Sequence, residues 1–268
     1  MSRIEEAFKK KPIFMPYFPL GYPDLETSID VIEALAKPAR GSGANEHGAD
    51  LIEVGLSFSD PLADGPVIQK ATQIALEKGI TVKKSLVAVA ELRRRGVTIP
   101  LVLMGYYNPM LAYGLEKFAR DAQSAGADGF IIPDLPPEES EEFQSLTGNL
   151  PLIRMLAPTT PPERMARVSR GANGFIYLVS VTGVTGARQS LAEGLSALIA
   201  SVRQHASVPV CVGFGIGTPE QAQTVGALAD GVIVGSACVR AIGESKTPVE
   251  TAREFAKSFS GALKMRMP

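Results

Sequence analysis

The sequence predicts an α/β fold, a single closed (β/α)8 TIM barrel spanning residues 1–268 and preceded by a short N-terminal helix. The first observation is the alternation of eight short, apolar, β-branched runs with longer stretches of helical period. Eight parallel strands close on themselves with an interior filled by side chains. The second is an absence: no G-x-G-x-x-G follows the first run, which weakens the competing open, doubly wound sheet. A third is an internal echo. "GADLIEVG", "GADGFIIPD" and "LADGVIVG" each set a small-residue turn before a strand, as a repeated unit would.

The elements follow in order. "IFMPYFPLG" from Ile13 is the first strand, and "DLETSIDVIEALA" is the helix behind it. "DLIEVGLSF" from Asp50 is the second, and "KKSLVAVAELRRRG" precedes the third, "PLVLMGYY" from Pro100. "LEKFARDAQSAG" separates that from "GFIIPDL" (Gly129) and "PLIRMLAP" (Pro151). "GFIYLVSV" (Gly174), the helix "QSLAEGLSALIASVRQHA", "VPVCVGFG" (Val208), the helix "TPEQAQTVGALA" and "GVIVGSAC" (Gly231) complete the series. One segment fits poorly: residues 38–48 are Gly-rich, polar and long for an αβ loop. They precede a strand, so they are expected as a surface insertion on the bottom face, with His47 exposed.

A formal net charge of −1 gives no basic footprint for nucleic acid, and no apolar stretch reaches membrane-spanning length. The N-terminus has no apolar signal core, and Cys211 and Cys238 lie in strand-like runs as reduced core residues would. A cytoplasmic protein is expected. The histidines, His47 and His205, lie outside the strands and away from any Cys or carboxylate cluster, which argues against a His-based zinc site. Every lysine also lies outside the predicted strands, so a strand-borne Schiff base has no candidate. Proton transfer then falls to carboxylates and tyrosines.

In a barrel the chemistry sits at strand C-termini and in the loops that follow. Strand alternation puts Leu51, Glu53 and Gly55 on one face and the β-branched Ile52 and Val54 on the helix-facing side, so Glu53 points into the barrel. An unpaired carboxylate there has a raised pKa. The alternative is a structural ion pair with Arg154, the only basic residue within a predicted strand. Asp60 and Asp64 follow in "SDPLADGP", where turn chemistry or a helix cap near Pro66 accounts for either as readily as catalysis does. Tyr177 shares a face of strand six with Phe175 and Val179; its hydroxyl either approaches Glu53 or is satisfied by a backbone carbonyl.

Glycines mark a second feature. "VGFGIGTPEQ" and "VGSACVR" follow strands seven and eight, where barrels commonly bind phosphate with backbone N–H groups and a helix N-terminus. Gly213, Gly215 and Gly217, then Gly235 and Ser236, suit a close approach to an anion. "SVTGVTGARQ" adds Gly183 and Gly186, enough freedom for a lid. Tight βα turns explain each glycine singly; the combination favours a small phosphorylated substrate. Tyr17, Met104, Tyr106, Ile131, Leu156 and Phe214 fall near strand ends and would line a flat apolar slot, though such residues also build ordinary core.

"IEVGLSFSDPLADGPVIQ" closely resembles the signature of the tryptophan synthase alpha subunit family, in which a strand-end Glu is followed eleven residues later by the Asp of "LADGP". The resemblance continues, in family order, through "MPYFPLGYPD", "MGYYNPMLAYG", "IIPDLPPEES", "APTTPPERM", "YLVSVTGVTGAR", "GFGI" and "GSA", and covers nearly the whole chain. It implies a carbon–carbon lyase that cleaves indole-3-glycerol phosphate to indole and glyceraldehyde 3-phosphate. It implies Glu53 as general acid/base, Asp64 as holder of the indole N–H, and Tyr177 lining the site. Gly186, Gly215, Gly235 and Ser236 would take the phosphate; Tyr17, Met104, Tyr106, Ile131, Leu156 and Phe214 would border the indole, and Thr185 would close toward Asp64. Asp60, Pro61, Asn108 and Pro136 match positions that meet a beta subunit. No cofactor is implied in this chain; pyridoxal phosphate belongs to the beta partner, in an alpha2beta2 heterotetramer.

The chain departs from the family pattern at Ser57, where Pro is usual, at Pro19, where Thr is common, in the 38–48 insertion, and at Arg154. Two other functions fit the same motifs: a stand-alone lyase that releases free indole, and a non-catalytic phosphate-binding subunit. Intact Glu53 and Asp64 argue against the last.

Overall fold

The computed structural model describes residues 1–37, 48–179, 188–213 and 215–265, with the side chains of 188–193 left aside. The expected insertion and His47 therefore lie outside the described residues, apart from Gly48. Eight parallel strands form one sheet: β1 (Ile13–Pro19), β2 (Ile52–Gly55), β3 (Leu101–Met104), β4 (Gly129–Ile131), β5 (Arg154–Leu156), β6 (Ile176–Val179), β7 (Val210–Gly213) and β8 (Gly231–Val234). Their order is β4-β3-β2-β1-β8-β7-β6-β5. The ring closes between β4 and the approach to β5 through one bridge, Phe130 to Leu152. There the Phe130 N–H donates to the Pro151 carbonyl at 2.9 Å and the Ile153 N–H to the Phe130 carbonyl at 2.8 Å. The eight strands match the eight runs read from the sequence, each shorter than its run.

The helices start where their residues satisfy the free N–H groups of the first turn. Asp24 caps Leu25–Ala36 through the Thr27 N–H, Thr81 caps Val82–Arg94 through Lys84, and Thr218 with Gln221 forms a capping box on Pro219–Gly226. The N-terminal helix Arg3–Ala7 is capped by Ser2. It plugs the bottom of the barrel: Ile4 is buried, and the ring of Phe8, just beyond the helix, lies 5.8 Å from that of Phe175.

The sequence echo has a structural reason. Each aspartate of the repeated turn precedes an even strand and accepts the N–H of a residue on the odd strand beside it. Asp50 takes Phe14 N–H at 2.9 Å, Asp128 takes Leu101 N–H at 2.8 Å and Asp230 takes Val210 N–H at 2.9 Å. At β6 the corresponding residue is Asn173, whose Oδ1 instead accepts the neighbouring Gly174 N–H at 2.8 Å.

Register settles which side chains face inward. Parallel pairing aligns Tyr17 with Glu53, Glu53 with Val102 and Val102 with Gly129; one pleat higher, Gly55, Met104 and Ile131 align. On the far wall Tyr177 aligns with Met155 and Cys211. Leu156 therefore faces outward. It packs with Met165, Val168, Ile176 and Leu178 in the helix-facing layer, and its assignment to the slot is corrected: Met155 holds the inward position on β5. Arg154 also faces outward, donating to Ser140 Oγ at 3.0 Å.

Candidate active site

Glu53 stands inside the barrel on β2, 1% exposed, and its Oε1 has no hydrogen-bond partner among the described residues. Arg154, the one candidate for an ion pair, lies on the other face of the sheet. With no compensating cation among the described residues, burial lifts the Glu53 pKa from 4.5 to about 8, so the side chain is neutral at pH 7.

Two tyrosines flank it. Tyr17, paired in register with Glu53, lies across Gly55: a Cβ on that glycine would overlap the phenol oxygen. Tyr177 lies across Gly213 in the same way. These two glycines admit the phenols into the barrel, since any other residue would collide with them. Both hydroxyls have pKa values well above the usual 10, through burial first and then the nearby acids. For Tyr17 these are Asp64, Tyr106 and Glu53; for Tyr177 they are Glu53 and Asp64. The two carboxylates and three phenols thus share one electrostatic neighbourhood at the mouth.

Asp64 is brought there by the loop after β2. Its N–H donates to the Pro61 carbonyl at 3.1 Å, a tight turn. Its side chain does not cap the next helix, whose N-cap is Gly65 with no side-chain bond. Instead Asp64 Oδ2 accepts from the Tyr106 hydroxyl at 3.1 Å. Burial raises its pKa to about 6, against the opposing effect of that hydrogen bond. The Ser57 departure gives the loop a further contact, its hydroxyl reaching the Leu20 carbonyl at 3.4 Å.

Met104 and Ile131 line the interior above Glu53, both buried. On the opposite side, Gly215 has φ +77°, a conformation that favours glycine, and Gly235 is the N-cap of helix Ser236–Gly243 with Ser236 exposed at its first turn. The Gly217 N–H is already taken by Gln221 Oε1 at 2.7 Å. Thr185, Gly186 and Phe214 lie outside the described residues, as does Gly183. Asp60, Asn108 and Pro136 are exposed and Pro61 partly so, Asn108 in the helix Tyr107–Tyr113 after β3 and the others on the loops after β2 and β4. Beside Asp60 an open groove of about 550 Å³ is lined by Phe58, Leu62, Gln69, Gln73 and Leu76, with Leu62 84% exposed. Among the described residues no cluster of His, Cys, Asp or Glu is arranged to hold a metal, and no helix is long and apolar enough to cross a membrane. Cys211 and Cys238 are buried and free.

Sequence reasoning named Tyr106 as a slot residue but missed its bond to Asp64, because nothing in the spacing of "GYYN" and "ADGP" announces a contact between two loops. It missed Met155 because "RMLA" is apolar at both candidate positions.

A family model described as tryptophan synthase alpha chain matches residues 4–267. The tryptophan synthase alpha chain of Chloroflexus aurantiacus is 49% identical over 246 residues, covering 89% of each chain. That of Roseiflexus castenholzii is 46% identical over 270 residues, covering 97% of this chain and 100% of the relative. Among solved structures, tryptophan synthase subunit alpha from Legionella pneumophila superposes with a TM-score of 0.87 at 36% identity, covering 98% of both chains. A chain of tryptophan synthase from M. tuberculosis in its aminoacrylate-bound form gives 0.84 at 34%, covering 98% of this chain and 100% of that one. The matched length and the barrel agree: the chain belongs to the tryptophan synthase alpha chain family.

Proposed function

We propose that the protein cleaves indole-3-glycerol phosphate to indole and glyceraldehyde 3-phosphate, with Glu53 as the acid/base. The observation that carries this reading is the buried Glu53 carboxyl, neutral at pH 7 and without a cation, among tyrosines and apolar side chains. A group that must first give a proton and then take one needs such a pKa. Glu53 protonates C3 of the indole ring, leaving positive charge on the ring nitrogen, which the Asp64 carboxylate holds through its N–H. The Glu53 carboxylate then takes the proton of the glycerol hydroxyl next to C3. The carbon–carbon bond breaks, its electron pair returns to the ring, the aldehyde forms, and Glu53 is protonated again. Gly215, Gly235 and Ser236, with Gly186, supply backbone and hydroxyl donors to the phosphate. Tyr17, Met104 and Ile131 hold the ring, with Phe214, and Thr185 closes toward Asp64. Tyr177 packs beside Glu53 and keeps water from it.

The partner in this reading is a tryptophan synthase beta chain carrying pyridoxal phosphate, docked on Asp60, Pro61, Asn108 and Pro136 in an alpha2beta2 heterotetramer in the cytoplasm. Its support is that these four residues follow three adjacent strands, β2, β3 and β4, and are at least partly exposed. The test is indole release from indole-3-glycerol phosphate, measured alone and with the beta chain. Glu53→Gln is expected to remove activity; a fully active variant overturns the acid/base role. Strong stimulation by the beta chain supports the subunit, whereas high solitary turnover makes this a stand-alone lyase.

A further inference from the structure

Tyr106 follows β3 by two residues and is the N-cap of helix Tyr107–Tyr113, yet its side chain makes no capping bond. It reaches across to the loop after β2. There its hydroxyl donates to Asp64 Oδ2 at 3.1 Å and accepts the Ala63 N–H at 3.0 Å. One oxygen therefore grips both the carboxylate and the N–H of the residue before it. The ring is braced against Phe58, centroids 5.6 Å apart. The backbone beneath is also held, because Tyr107 N–H donates to Asp134 Oδ1, from the loop after β4, at 2.9 Å. Loops from three consecutive strands thus meet at residues 106 and 107, the β2 loop on the Tyr106 side chain and the β4 loop on the backbone next to it.

The titratable groups facing Asp64 among the described residues are phenols: Tyr17 from β1, Tyr106 from the β3 end and Tyr177 from β6; Glu53 on β2 faces the same Tyr17 and Tyr177, and Asp134 from the loop after β4 faces Tyr106. No cation lies among them. The Tyr106 hydroxyl is the donor that favours the Asp64 anion. It occupies Oδ2, which leaves Oδ1 to accept a ligand's N–H.

We propose that Tyr106 is a positioning residue for the lyase reaction: its hydroxyl holds Asp64 ionised and turned so that Oδ1 meets the ring N–H of the substrate. This rests on the reading of Asp64 as the group that holds that nitrogen. A Tyr106 that served only to fill the slot would leave the titration of Asp64 where it is.

The test is kcat/KM for indole-3-glycerol phosphate cleavage across pH, for wild type, Tyr106→Phe, Asp64→Asn and the double variant. Tyr106→Phe keeps the ring and its contact with Phe58. It is expected to lower kcat/KM about tenfold and to move the acid limb upward by roughly half to one pH unit, since a donor to the carboxylate is lost. In the Asp64→Asn background the same change is expected to cost less than about twofold, because the two act as one unit. An unmoved acid limb, or full additivity of the two substitutions, overturns the proposal. Wild-type cleavage by Asp64→Asn overturns the reading beneath it, a result distinguishable from the first. Phe58→Leu removes the ring's brace and no charge, and serves if Tyr106→Phe does not fold. It is expected to move the limb the same way by a smaller amount, and no movement overturns the proposal.

Discussion

Replacing Glu53 by Gln is expected to stabilise the fold while abolishing the chemistry, and the gain depends on pH in a way that identifies its cause. In the folded chain burial places the Glu53 pKa at about 8, against 4.5 for an ordinary glutamate. The folded state therefore keeps a proton that the unfolded state releases above 4.5. Below that pH both states are protonated and the residue costs nothing through ionisation. As pH rises the unfolded chain gains by ionising and the folded chain does not, so stability is lost progressively until about pH 8 and is level beyond it. The interval from 4.5 to 7, at about 1.4 kcal/mol per pH unit, amounts to about 3 kcal/mol. At pH 5 the same linkage leaves less than about 1 kcal/mol. Gln keeps the shape and cannot ionise, so it removes this cost. With about 2.1 cal/mol/K of unfolding entropy per residue, a 268-residue chain should melt about 5 °C higher at pH 7 as the Gln variant, with the difference nearly gone at pH 5. Thermal or urea melts of both proteins at the two pH values read this directly. A difference independent of pH, or a variant less stable at pH 7, refutes the claim that Glu53 is buried without a compensating charge.

Two further outcomes follow from the same geometry. Cleavage should show a bell-shaped pH dependence of kcat/KM, falling below about 6 as Asp64 is protonated and above about 8 as Glu53 loses its proton; a profile flat from 5 to 9 would contradict both roles. Gly55→Ala and Gly213→Ala each drive a methyl into a phenol, of Tyr17 and Tyr177 respectively. Each should lower kcat/KM at least about tenfold through the misplaced ring, with wild-type activity in either showing that its tyrosine is a bystander.

The inward-facing acid was legible in the sequence because alternation along "LIEVG" has one solution once the β-branched residues face the helices. The barrel was legible from eight repeats of one pattern. Leu156 was misread for the same physical reason that Glu53 was not: in "RMLA" neither parity buries a polar group, so only pairing with Tyr177 and Leu178 on β6 decides which residue faces inward. The Asp64–Tyr106 contact joins side chains 42 residues apart through two loops, and no local rule encodes it. Arg154 shows the limit from the other side. As a lone charge in an apolar run it invited pairing with Glu53, whereas a hydroxyl behind the sheet, on Ser140, receives it.

The aspartates that tie even strands to odd ones make the barrel wall mechanically uneven. Three arcs are riveted at the base, β1 with β2, β3 with β4 and β7 with β8, while Asn173 leaves the β5–β6 arc without its rivet. Next to that arc lies the seam at Phe130, where a single bridge joins the wall. Compliance is thereby concentrated on one side of the ring. Glu53 stands on the stiff side, within the riveted β1–β2 arc, so the wall can yield near β5 without altering the distance between the acid on β2 and the phenol on β1.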